Sequence, residues 1–174
     1  MRCLLEFLER LGCSYDWFTL WVGRSLGLIE TSEVTQYAEK YIADKAQEKN
    51  PLIIELAWNN KPQIVDDNLQ KLVVEIYGQS LNQESSKWIE EERKWRYCIL
   101  KKLRTNIENY EQLLERVADV YSDIGYPKEM ESFIYYMPPS DGYDPMKYSK
   151  EQNQKRLVQI LDIFLKKEND ELIK

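Results

Sequence analysis

Four carboxylates, Glu111, Glu115, Asp119 and Asp123, follow one another at intervals of four. On a helix that interval sets them in one row, on the side away from Leu113, Leu114 and Val117. Like charges so placed cost a helix roughly 0.2–0.5 kcal/mol per pair. Arg116, just before Asp119, relieves part of that cost. The row has two uses: an acidic ridge that receives a basic partner, or a solvated outer face. Metal binding is a poor third use. A straight row of carboxylates does not wrap an ion, and carboxylate metal sites draw on several elements. No metal ligand is assigned.

A second group is cationic: Arg93, Lys94, Arg96, Lys101, Lys102 and Arg104, interleaved with Trp95 and Tyr97. Aromatic rings among cations can stack bases, which would suit a single strand or an RNA. Against that use, Glu90, Glu91 and Glu92 stand beside the cluster, and Trp95 belongs to an apolar stripe.

Enzyme chemistry has little to work with. The chain holds no histidine, which removes imidazole acid–base catalysis, Ser–His and Cys–His pairs and Cys/His zinc sites. There is no Gly-rich phosphate loop, no G-x-S-x-G and no H-E-x-x-H. Two carboxylates could serve a glycosidase, but nothing marks a pair. No catalytic residue and no cofactor are assigned, and the chain is not expected to be an enzyme.

The charge balance points the same way. Lys and Arg number 24 against 30 Asp and Glu, giving a net charge of −6 and a pI near 4.9. That argues against duplex nucleic acid as a partner and favours a basic protein. The cysteines are three, Cys3, Cys13 and Cys98, with no C-x-x-C, as expected of reduced thiols in the cytoplasm. No apolar run approaches the ~20 residues of a membrane span. MRCLLEFLERL reads as an amphipathic helix and not as a signal peptide.

Helical periodicity recurs along the chain. Leu4, Leu5, Leu8 and Leu11 make a first stripe ended by Gly12. Ser14 is the expected N-cap of a second helix, with Trp17, Phe18, Leu20, Trp21 and Val22 well buried. Thr31 or Ser32 is expected to cap a third, with Val34, Tyr37, Ala38, Tyr41 and Ile42 inward. Asn50-Pro51 opens a short helix through Trp58. A loop over Asn59–Pro62 and a cap at Asp66 or Asp67 lead to a helix ending at Gly78.

Residues 79–86 are polar and are where a hinge is expected. Lys87–Leu103 is the longest predicted helix, with Trp88, Trp95, Ile99 and Leu103 on one face. Its Glu90–Lys94 and Glu92–Arg96 spacings favour pairs one turn apart. Another helix is predicted from about Asn109 to Tyr121, with Tyr110, Leu113, Leu114, Val117 and Tyr121 inward. Ser149 to Gln152 is a capping box opening the last helix, with Leu157, Ile160, Leu161, Phe164 and Leu165 inward.

Between these last two helices lies YSDIGYPKEMESFIYYMPPSDGY, Tyr121 to Tyr143. Gly125 is expected to close the preceding helix, and Tyr126, before a proline, to be extended. Pro127 suits the first turn of a short helix with Met130, Phe133, Ile134 and Met137 inward. Pro138-Pro139 ends it and Asp141-Gly142 turns. The stretch serves either as a proline-locked corner plugged by aromatics or as a recognition surface presenting tyrosines.

This stretch, with the preceding ADVYSD, resembles a small bacterial family of unknown function. Its members share a Tyr-Pro (here Tyr126-Pro127), then a Phe (Phe133), then a Tyr-Met-Pro run (Tyr136 to Pro138) after an Asp-containing helix end. The resemblance implies proteins encoded beside bacterial toxin genes, hence an immunity-type protein. It carries no binding residue with it.

The reading is an all-α protein of about seven to nine helices, a single compact domain over residues 1–174 with 166–174 a frayed tail. The expected function is cytoplasmic protein binding of the immunity type, through Glu111, Glu115, Asp119, Asp123, Tyr126, Tyr136 and Asp141. The expected partner is a protein, such as a basic toxin, with no membrane and no duplex nucleic acid. The alternative is a structural or regulatory protein that self-associates.

Overall fold

The computed structural model describes residues 4–45, 50–78 and 83–173. Among them the chain is all-α, with eight α-helices, two short 3-10 segments and no strand. It divides into two compact units, Met1–Trp95 and Arg96–Lys174. Cys3 and part of the expected 79–86 hinge lie outside the described residues. No described helix is long and apolar enough to cross a membrane.

The first unit holds α1 (Leu4–Arg10), α2 (Trp17–Ser25), α3 (Thr31–Asp44), α4 (Pro51–Trp58) and α5 (Pro62–Tyr77). It also takes the first half of α6 (Ser86–Asn106). As its apolar run predicts, α2 is central: Phe18, Leu20 and Val22 are fully buried. A helix this enclosed needs a small residue where a large neighbour crosses it. Gly23 is that residue, since a Cβ there would stand 2.6 Å from Cζ2 of Trp95. The same indole donates from Nε1 to the Thr19 carbonyl at 2.9 Å, so Trp95 is held in both contact and direction.

Three helix starts differ from expectation. Asp16 caps α2 in place of Ser14, its carboxylate accepting from the Phe18 and Thr19 N–H groups, both at 3.0 Å. Thr19 Oγ1 accepts the Asp16 N–H at 3.1 Å and completes a capping box. At α3 the cap is Glu30, one residue before Thr31, and Glu33 accepts its N–H at 2.9 Å. At α5 the expected Asn59–Pro62 loop ends one residue early, because Pro62 already takes the first helical position, where its missing N–H costs nothing. Asp66 is therefore no cap but lies inside α5, joined through both oxygens to Arg24 at 2.9 Å each. Asn50 caps α4 as expected, and Gly78 closes α5 with a left-handed φ of 71°.

The second unit holds the rest of α6, α7 (Tyr110–Asp123), the 3-10 segments Lys128–Phe133 and Pro145–Lys147, and α8 (Lys150–Leu172). α8 packs against both α7 and Lys128–Phe133, and Leu113, Val117, Phe133 and Leu161 are buried on these elements. Ser149 and Gln152 form the expected capping box of α8. That helix does not stop at Lys166 but runs to Leu172. Its last turns are tied in, with Glu168 buried and Asn169 accepting from the Tyr97 hydroxyl at 2.8 Å. Cys13 and Cys98 are buried, and burial raises the pKa of Cys13.

Candidate functional site

On α7 the apolar face is Leu113, Leu114, Val117 and Tyr121, and the row of carboxylates is exposed opposite it. At ~1.5 Å rise per residue the row from Glu111 to Asp123 is about 18 Å long. Its two ends sit in different surroundings.

At the far end α7 closes on Gly125, φ 78°, whose N–H returns to the Ser122 carbonyl at 3.2 Å. The Tyr126 N–H returns to the Tyr121 carbonyl at 2.9 Å, completing a Schellman closure. Tyr126 is not extended, as its position before proline predicts, but has a φ of 61°. Such a φ on a bulky residue costs on the order of 1–3 kcal/mol. Two contacts offset it: that hydrogen bond, and the edge-on packing of its ring against Tyr121 at 5.2 Å. Tyr136 packs on the same Tyr121 ring at 6.5 Å, so Tyr126 and Tyr136 do come together, both half exposed.

Asp141 stands apart from that corner. It accepts the Tyr143 N–H at 3.2 Å and a hydrogen bond from Arg156 on α8. The Tyr143 N–H and the Arg156 guanidinium together hold its pKa below the usual carboxylate value. Arg156 also lies 4.0 Å over the ring of Tyr143, which stacks on Tyr148 at 4.8 Å.

At the near end the first two turns of α7 lie beside the first two turns of α8, with a groove of about 570 Å³ there. Leu114 and Leu157 line it, at helical spacing from Glu111 and Lys150 on their respective helices. Tyr135, Pro145, Met146 and Tyr148 supply further apolar lining. Met146 is 92% exposed and Tyr148 49%, so the fold leaves much apolar surface in water here.

Glu111 and Glu115 form the acidic lip. Lys150 bonds to Glu111, and that bond, with Glu115 nearby, raises the lysine pKa. Glu115 has no hydrogen-bonded or ion-paired partner among the described residues, while Asp119 takes Arg116 at 3.1 Å. An exposed pair such as Lys150–Glu111 is screened by water and salt, and holds more weakly than the burial of one Leu or Phe side chain. An apolar residue entering the groove could therefore displace the lysine.

The site residues named from sequence thus separate into three places: Glu111 and Glu115 at the groove, Asp123 with Tyr126 and Tyr136 at the tyrosine corner, and Asp141 on Arg156. Asp119 lies on α7 between the first two. Sequence reasoning missed Tyr135, Met146, Tyr148 and Lys150. One signal was available, because Lys150, Asn153, Gln154 and Leu157 share a face of α8 by spacing alone.

The cationic cluster is not a base-stacking surface. Trp95 and Tyr97 are fully buried, Lys94 is buried against Glu91 at 2.9 Å, and Arg104 is joined to Asp162 at 2.8 Å. Among the described residues no group of three or more carboxylate and cysteine side chains is placed to hold a metal ion.

The chain belongs to a family described as uncharacterized proteins conserved in bacteria, DUF2247, whose model matches residues 5–169. A bacterial family of unknown function is what the Tyr121–Tyr143 stretch led one to expect, and the match covers nearly the whole chain. No curated protein and no solved structure matches it.

Proposed function

We propose that this member of the family is a protein-binding module, and specifically an immunity-type inhibitor that neutralises a bacterial toxin by docking on it in the cytoplasm. The observation that carries the reading is the groove between α7 and α8. Its apolar lining is left in water, and its lip carries Glu115 without a partner among the described residues. Shape and charge there suit a partner surface that presents an apolar side chain beside a basic one. The mechanism is occlusion, with the carboxylates standing where an anionic substrate of the toxin would lie and the exposed tyrosines supplying anchors. No catalytic step is ascribed to the inhibitor.

The test is an affinity capture from lysate of the source cells, comparing wild type with Glu111→Lys/Glu115→Lys. A single stoichiometric basic protein, retained by wild type, weakened by salt and lost from the variant, supports the reading. Equal retention by both proteins contradicts it.

One observation favours a second reading, self-association. On α4, Ile54 and Trp58 lie one turn apart and Trp58 is 86% exposed. Sedimentation at micromolar concentrations decides this: a dimer abolished by Trp58→Ser would favour it, and a monomer throughout would reject it.

A further inference from the structure

We infer that the groove is a receptor for an arginine with an apolar neighbour, presented by a protein partner, and that Lys150 is the chain's own placeholder for that cation. The inference rests on the reading that this unit binds a protein.

Glu111 and Glu115 lie one turn apart at one groove edge. The only cation among the groove's lining residues is Lys150, bonded to Glu111 with Glu115 in electrostatic range. One ammonium between two carboxylates leaves the edge one positive charge short. An acidic or phosphorylated segment would meet both carboxylates and is excluded by repulsion. A wholly apolar segment would fill the groove and leave Glu115 without a partner. A segment with one cation beside one apolar residue satisfies both parts.

Arginine suits the cation better than lysine. Its planar head can take two carboxylate oxygens at once and can lie on an aromatic ring. Next door Arg156 bonds to Asp141 through one nitrogen and lies 4.0 Å over Tyr143. Tyr148, stacked on Tyr143 at 4.8 Å, brings its half-exposed ring to the groove lining.

Lys150 competes with any such arginine for Glu111. It is exposed, sits at the first position of α8, and takes no part in the Ser149–Gln152 capping box. Removing its charge should therefore strengthen binding without unfolding the helix.

The experiment follows the methyl resonance of Met146 in protein labelled at methionine methyls, titrated with N-acetyl-leucyl-argininamide. N-acetyl-leucyl-glutamamide, bearing the glutamate side chain, is the opposite-charge control. The expected result is a saturable Met146 shift with the arginine probe and none with the glutamate probe. Lys150→Met should bind the arginine probe about 2- to 5-fold more tightly, and Glu115→Gln more weakly by a similar factor.

Equal response to both probes, or no response of Met146, overturns the receptor. Unchanged or weaker binding by Lys150→Met overturns the placeholder. The titration needs no natural partner, so it separates the two ideas. A responsive groove with no partner in lysate leaves the receptor standing and removes the inhibitor. A partner lost from the groove variants, with Met146 silent to both probes, removes the receptor alone.

Discussion

Asp16 shows how much a single side chain carries in the first unit. One oxygen caps α2, and the other accepts the Tyr77 hydroxyl at 2.6 Å. Burial pushes its pKa up, but the hydrogen bonds from Tyr77 and Thr19 and the Lys87 charge outweigh burial, and the net shift is downward. A lowered folded pKa gives stability that is present above the ordinary Asp value of about 3.9 and is lost as pH falls through the folded value. Asp16→Ala should cost about 0.5–2 kcal/mol at pH 7 in urea unfolding. Most of that difference should vanish in acid, where wild-type Asp16 is protonated.

The tyrosines set the alkaline limit with the opposite sign. Burial, with Asp16 nearby, raises Tyr37 to about 12, and burial with the Asp16 hydrogen bond raises Tyr77 further. Between about pH 10, where a free tyrosine ionises, and about 12, the folded chain binds more protons than the unfolded one. Stability should therefore fall as pH rises through that window. Absorbance titration of phenolate should show a class of tyrosines ionising only with unfolding; a single transition near 10 before any unfolding would contradict this.

The elements are held by a few demanding contacts, and α6 has two of them. Glu91 is 0% exposed, bonded to Lys94 at 2.9 Å, to Lys87 at 3.1 Å and to the Thr19 hydroxyl at 2.7 Å. Removing one partner strands the other charges in the interior, so Glu91→Ala should cost about 3–5 kcal/mol. Glu91→Leu combined with Lys94→Leu should recover most of it, because two apolar residues leave Lys94 no charge to strand. The second contact is Trp95 on α2. Gly23→Ala would drive a methyl against the indole and should cost about 1–3 kcal/mol, read as a drop in the denaturant midpoint.

This is also where sequence reasoning stops short. The stripe of Trp88, Trp95 and Ile99 was legible because helical period reports which residues share a face. Glu91 and Lys94 were not: Glu91 falls on that stripe, three residues after Trp88 and four before Trp95, yet a carboxylate beside a lysine reads as solvated until a neighbouring helix is seen to cover it. The caps of α2 and α3 were missed by one or two residues and that of α5 by five, since Ser14, Thr31 and Asp66 are all chemically able to cap and only the packing chooses. Gly125, Asn50 and Ser149 were legible because each does a job that few residues can do in one conformation.

At the scale of the whole molecule the question is which surface meets another protein. The carboxylate row was readable from spacing, yet only its first two members border the groove. The rest of the groove comes from Tyr135 and from residues 145–157, brought beside α7 by packing that no local pattern encodes. The competing surface, Ile54 and Trp58, lies on the other unit, so the two readings can be separated by position alone.

The most direct test puts a photo-crosslinking amino acid at position 146 in one strain and at position 58 in another, irradiated in living source cells. Position 146 should yield one discrete adduct with a different, basic protein, and Glu115→Lys should abolish it. No adduct from position 146, with position 58 giving dimers of the chain itself, would contradict it.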